Sequence, residues 1–141
     1  MIELHHNGYS ISEIRELIDS KESLELSQQL IANVKKGRSF LESFIERADS
    51  PIYGINTGFG SLCDTEIASD DLGKLQENLV KSHACGLGYI VDPEIVKYML
   101  VLKVLGLSKG NSGVKLQTVE ALLDLYNSGV LPVVYEQGSL G

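Results

Sequence analysis

Apolar residues recur along most of this chain at intervals of three and four, the period that gathers them on one face of a helix. Ile14, Leu17 and Ile18 follow Ser10-Ile11-Ser12-Glu13, a capping-box spacing in which serine and glutamate each satisfy a backbone N–H of the other. Together they predict a short helix over residues 11–19. A longer stripe runs through Leu24, Leu26, Leu30, Ile31 and Val34 and resumes at Leu41, Phe44 and Ile45. Gly37 interrupts it. One glycine costs a helix only about 1 kcal/mol, so a single helix over 22–48, weak at Gly37, is preferred to two helices meeting there. It must stop by Ser50, because the residue before Pro51 is pushed out of helical geometry.

Residues 51–64 read as loop. Asp70 and Asp71 can cap the next helix, whose buried stripe would be Leu72, Leu75, Leu79 and Val80, with Gly86 and Gly88 closing it. Asp92-Pro93 fits the N-cap and first position of another helix. From Ile95 to Leu107 that helix is apolar nearly all round, which suits the inside of a bundle or a subunit contact. Lys109-Gly110-Asn111-Ser112-Gly113 reads as a turn, and Val119, Leu122, Leu123 and Tyr126 mark a helix over 114–127. Gly129 sits where a helix ends in left-handed backbone, and Pro132 bars continuation into an extended segment over 130–135. Residues 2–9 end in Asn7-Gly8 and read as a small hairpin or extended lead-in. The pattern as a whole is mainly α, in one domain with a short extended N-terminal lead-in.

Charge narrows the partners. Nineteen acids against 12 Lys and Arg leave a formal net charge of −7, which disfavours nucleic acid and anionic membrane as partners. The one dense basic run, Lys35-Lys36-Gly37-Arg38, reads as a solvated helix turn. No apolar run reaches the roughly 18 residues that span a bilayer, and no secretory leader is visible at the N-terminus. Cys63 and Cys85 follow no metal spacing, so no metal is expected, and two thiols in such a chain suggest the reducing cytoplasm. The adjacent His5 and His6 are expected in solvent.

The densest candidate chemistry lies in Ser50-Pro51-Ile52-Tyr53-Gly54-Ile55-Asn56-Thr57-Gly58-Phe59-Gly60. Its glycines match neither the dinucleotide fingerprint nor the phosphate-binding loop with its lysine. They do allow a mobile loop to carry a phenol to and from a ligand. Asn56, Thr57 and Gly60 either shape that loop or contact the ligand, and Phe59 is expected to anchor it. His83, flanked by Ser82, lies near a predicted helix end, where histidine is either structural or a binding group.

Three further strings complete a pattern with that loop: Asn78-Leu79-Val80-Lys81-Ser82-His83, Leu107-Ser108-Lys109-Gly110-Asn111-Ser112-Gly113-Val114, and the run from Leu131 to Gly141. With these the chain resembles, over nearly its whole length, the aromatic amino acid ammonia-lyase family. The resemblance implies the N-terminal part of a helical ammonia-lyase fold (fumarase/aspartase-like) and a homotetramer with sites shared between subunits. In that family the terminal run leads into Ala-Ser-Gly, which cyclises to the electrophile 4-methylideneimidazol-5-one (MIO). The triad is expected immediately after Gly141, so residues 1–141 alone are expected to be inactive. Glu136 and Gln137 would polarise the triad's backbone or satisfy a turn.

By the same match Tyr53 is the catalytic base that removes a β-proton from an amino-acid substrate. A free phenol titrates near pH 10, so its surroundings must favour the phenolate. The Ser82-His83 pair falls at the selectivity position, where phenylalanine lyases place Phe-Leu, many tyrosine lyases His-Leu and histidine lyases Ser-His. His83, Ser82, Asn56 and Gly60 are thereby assigned to substrate binding. The reaction implied is elimination of ammonia from L-histidine to give urocanate. Some tyrosine lyases resemble the Ser-His pattern, so a tyrosine or phenylalanine lyase, an aminomutase or a non-catalytic helical interaction domain stay open. One departure is Gly106, which stands where the family has a polar or small residue and would soften its helix.

Overall fold

A computed structural model describes residues 1–48, 50–60, 65 and 67–139. The chain divides into two compact units, Met1–Glu42 with Val91–Val134, and Ser43–Ile90 with Tyr135–Gly141.

The first unit opens with strand β1 (Ile2–Leu4), which pairs in parallel with β2 (Leu24–Leu26), Ile2 opposite Leu24 and Leu4 opposite Leu26. Of the two readings of residues 2–9, the extended lead-in holds and the hairpin does not. Asn7-Gly8 leads on into helix α1 (Ile11–Asp19), and the parallel partner is reached through that helix, because parallel strands need a crossover rather than a tight turn. Helix α1 starts as expected. Ser10 N donates to Glu13 Oε2 at 2.7 Å, and Glu13 N donates to Ser10 Oγ at 3.2 Å. The free backbone groups of Leu24 are taken by a side chain. Asn127 Oδ1 accepts from Leu24 N and Asn127 Nδ2 donates to Leu24 O, both at 2.8 Å.

Helix α2 (Gln28–Ile45) is continuous through Gly37, but shorter than the stripe suggested. Leu24 and Leu26 belong to β2. Ser27 sets the boundary, its carbonyl accepting from Ile31 N at 3.1 Å and its hydroxyl from Leu30 N at 3.4 Å. Gly37 is not the weak point it looked. A Cβ there would lie 1.8 Å from the carbonyl oxygen of Gly110, and a Cβ on Gly110 (φ +83) would lie 2.3 Å from the carbonyl oxygen of Asn33. The turn after helix α4 (Pro93–Ser108) therefore rests directly on α2 backbone. Gly113, also in left-handed backbone, leaves room for Leu41, and Arg38 Nη1 donates to its carbonyl at 3.3 Å. Arg38 also pairs with Glu42 at 2.7 Å, while Lys35 and Lys36 are exposed.

Asp92 caps α4 as expected, accepting from Glu94 N at 2.8 Å. Val96, Leu100, Val101 and Val104 are buried, whereas Ile95, Met99 and Leu102 remain exposed. The helix runs through Gly106 without interruption. Helix α5 (Leu116–Asn127) buries Val119 and Leu123 and ends at Gly129 in left-handed backbone. Leu4, Leu24, Leu30, Val34, Val101, Val104 and Val119 are the most completely buried part of the core, each such side chain contributing about 1.5–3 kcal/mol.

In the second unit a 3-10 turn (Ser69–Asp71) leads into helix α3 (Leu72–His83). Asp71 stands at the N-cap without a side-chain cap hydrogen bond, so its contribution is negative charge at the positive end of the helix. The buried stripe expected on α3 is corrected: none of its residues is buried, and Val80 is 68% exposed. Periodicity marks a face that can be covered, not what lies against it. Helix α3 ends at His83, before the glycines. Gly86 and Gly88 fall instead in strand β3 (Gly86–Ile90), antiparallel to β4 (Tyr135–Gly138), with Gly86 opposite Gly138 and Ile90 opposite Tyr135. Gly86 is required there, since a Cβ would meet the Tyr135 ring at 2.4 Å. Glu136 and Gln137 lie in β4 rather than in a turn. Cys63 and the end of the 51–64 loop lie outside the described residues, as do Leu140 and Gly141. Among the described residues no helix is long and apolar enough to cross a membrane.

The glycine contact makes opposite predictions for two helical glycines. Gly37→Ala should destabilise by about 3 kcal/mol, because backbone must move. Gly106→Ala, with nothing within 4 Å of its Cβ, should stabilise by about 0.5–1 kcal/mol. Urea midpoints of the two variants measure this, and a shift in the same direction for both would refute it. The capping box predicts a pH effect. The Ser10 backbone N–H beside Glu13 holds its carboxyl below its ordinary value of 4.5. A depressed folded value means that this stabilisation is present above that pH and is lost as pH falls through the folded value. Thermal melts across the acid limb should show wild type losing its advantage over Glu13→Gln there.

Candidate active site

The tyrosine loop is held by its own side chains. Asn56 Oδ1 accepts from Ile52 N at 2.6 Å, and Ile55 N and Asn56 N both donate to Ile52 O, at 3.0 and 3.2 Å. Thr57 is buried, and its hydroxyl accepts from Gly54 N at 3.2 Å while donating to Gly58 O at 2.9 Å. Gly54 and Gly60 adopt φ of +75° and +58°, which L residues with a Cβ rarely tolerate. The loop is anchored further along the chain by Gly58 N to Thr65 O and Ile67 N to Asn56 O. These bonds form a tight turn whose apex residue, Tyr53, is 63% exposed and touches the edge of Phe59 with ring centroids 6.1 Å apart. The phenol is thus presented outward on a turn closed by its own hydrogen bonds. Asn56 Oδ1 and the Thr57 hydroxyl both shape the loop. Gly60 supplies a left-handed bend with open space about it.

The second group lies at the C-terminal end of α3. Ser82 Oγ is 2.9 Å from Leu79 O and 2.9 Å from His83 Nδ1, and Nδ1 is 3.0 Å from Leu79 O. His83 is exposed, its ring oriented from one side by its own helix. Ser139 Oγ donates to His83 O at 3.3 Å, which sets the residue following β4 against the end of α3. Sequence reasoning did not single out Ser139. The contact spans 56 positions, and no local signal points to it. Pairing of β3 with β4 is what produces it.

The structure places Tyr53 in one group, on the turn closed by Asn56 and Thr57, and joins Ser82, His83 and Ser139 by hydrogen bonds in another. Among the described residues no hydrogen bond joins the two, although both belong to the same compact unit. His5 and His6 are exposed, with His5 stacked on Tyr9 at 4.3 Å. Cys85 is exposed, and its backbone N–H donates to the carbonyl of His83. No group of metal-ligating side chains is found among the described residues.

Comparison with known proteins places these features in context. The aromatic amino acid lyase family matches residues 9–141. The histidine ammonia-lyase of Natranaerobius thermophilus is 39% identical over 141 residues, all of this chain and 28% of that protein. The crystal structure of histidine ammonia-lyase from Trypanosoma cruzi superposes with a TM-score of 0.83 at 33% identity, covering 98% of this chain and 27% of that one. A phenylalanine aminomutase from Pantoea agglomerans superposes with a TM-score of 0.89 at 27% identity, covering 99% and 27%. The chain therefore spans just over a quarter of the length of the relatives it matches.

The turn generates a prediction of its own. Thr57→Val removes the partner of Gly54 N and should cost about 1–3 kcal/mol locally. Hydrogen exchange at the Gly54 amide should accelerate clearly, while Thr57→Ser should keep it slow. Equal protection in both variants would remove the hydroxyl from the account of the loop.

Proposed function

This chain belongs to the aromatic amino acid lyase family, and from that premise we propose that the protein it forms part of eliminates ammonia from L-histidine to give urocanate. The observation that carries the reading is the Ser82-His83 pair, held on Leu79 O at the end of α3 beside the residue that follows β4. The named histidine ammonia-lyases at 39% and 33% identity support the same substrate.

In this reading Tyr53 is the base. Its oxygen takes the β-proton, the C–H electron pair becomes the Cα–Cβ double bond, and the C–N bond breaks with its pair leaving on ammonia. Exposure of Tyr53 on a glycine-bounded turn suits a group that must meet a substrate. His83 binds the substrate's side chain, while Ser82, Asn56 and Gly60 set the surroundings in which it and Tyr53 work. The MIO group, formed from Ala-Ser-Gly following Gly141, supplies when present the electrophile that makes departure of ammonia feasible. Supporting this reading, Ser139 Oγ donates to the His83 carbonyl, which sets the residue that follows β4 beside the Ser82-His83 pair. A homotetramer is proposed as well, supported by the exposed apolar residues Ile95, Met99 and Leu102 on α4. The exposed free thiol of Cys85 fits a reducing cytoplasm.

The likeness to an aminomutase favours one rival, in which the amino group is returned to the neighbouring carbon instead of being released. Incubating the complete protein with histidine, tyrosine and phenylalanine separates the two readings. Urocanate and free ammonia from histidine are expected, and a β-amino acid product or a preference for tyrosine would overturn the reading. Tyr53→Phe should lower kcat by about 100-fold or more with an unchanged circular dichroism spectrum. Turnover near wild type would exclude Tyr53 as the base.

A further inference from the structure

We propose that Ser82 is a positioning residue rather than a substrate contact: together with the Leu79 carbonyl it fixes the proton of the neutral His83 ring on Nδ1 and leaves Nε2 as a bare acceptor facing the substrate. This deepens the reading of His83 as the side-chain contact and rests on it.

The argument is one of donors and acceptors. A carbonyl oxygen only accepts. Leu79 O has Ser82 Oγ at 2.9 Å and His83 Nδ1 at 3.0 Å. When Nδ1 carries the proton, the Ser82 hydroxyl donates to that carbonyl and Oγ has lone pairs to offer. Nδ1 lies 2.9 Å from those lone pairs. A deprotonated Nδ1 could take the Ser82 proton, but it would leave its lone pair against the Leu79 carbonyl at 3.0 Å and strip that carbonyl of both side-chain donors. A protonated Nδ1 donates to both at once. The helix adds to this, because His83 is the last residue of α3, where the carbonyl end of the helix dipole is negative and favours an N–H pointed at it. A neutral imidazole carries one N–H, so its other nitrogen is an acceptor. His83 then recognises amino acids whose aromatic side chain offers an N–H or O–H donor. It disfavours a plain phenyl ring, which would strip Nε2 of water and give nothing back. Because its hydroxyl is already committed, Ser82 selects the substrate only through His83.

The test uses the complete enzyme. KM for L-histidine is measured for Ser82→Ala, Ser82→Thr, His83→Ala and the double variant Ser82→Ala/His83→Ala. In parallel, nitrogen NMR of 15N-histidine-labelled protein is recorded at a pH where the ring is neutral, with the His83 signals assigned by their loss in His83→Ala. Wild type should show Nδ1 protonated and Nε2 bare. Ser82→Ala should mix the two tautomers and raise KM about fivefold, Ser82→Thr should restore both readouts, and Ser82→Ala should be silent once His83 is absent. A wild-type ring protonated on Nε2 would overturn the proposal, as would Ser82→Ala leaving tautomer and KM unchanged. If His83→Ala leaves KM for histidine unchanged while the wild-type proton sits on Nδ1, the proton lock is supported and the substrate contact is overturned.

Discussion

Two stretches of backbone meet at Gly37 and Gly110 with no room for a side chain between them, and the first compact unit is organised around that contact. Asn33, Gly37 and Leu41 are spaced by four along α2, so they form one stripe on its surface. Gly110 and Gly113 sit on this stripe, each in left-handed backbone. Glycine loses more conformational freedom on folding than other residues, so such positions cost entropy. What offsets it is close packing, which brings Leu30 and Val34 of α2 into one core with Val101, Val104 and Val119. The string from Leu107 to Val114 that carries much of the family likeness is, physically, a docking turn.

The candidate site follows a different rule. Its two groups are built mainly from local hydrogen bonds, Tyr53 from a turn closed by Asn56 and Thr57, and His83 from the last turn of its own helix. Local construction holds the polar groups in place without a deep core around them. It also leaves the Tyr53 phenol and the His83 imidazole exposed. Among the described residues, Ser139 is what ties the second group to a distant part of the chain.

Much of this was legible beforehand, wherever the cause was local. Helix α1 has the predicted bounds because the Ser10 and Glu13 box acts within four residues. Helix α4 starts at Pro93 because Asp92 and the proline define a start by themselves. The tyrosine loop and the Ser82-His83 pair stood out by residue type and family pattern. The parallel pairing of β1 with β2 was not legible, nor was the closing of Leu24 by Asn127, a contact across 103 positions. Likewise the stripe on α3 was read correctly as a pattern and wrongly as a buried face.

The amino-acid sequence by itself determined helix α1 and the start of α4 with their caps, the glycine-bounded turn and the identity of the groups able to do chemistry, because each depends on neighbours within a few positions. Tertiary structure alone decided that Gly37 is a contact and not a weakness, that Leu24 and Leu26 belong to a strand, and that Ser139 lies against His83. Those outcomes depend on which distant backbone arrives at a given surface. Spacing along a chain carries no measure of the distance between segments that only folding brings together.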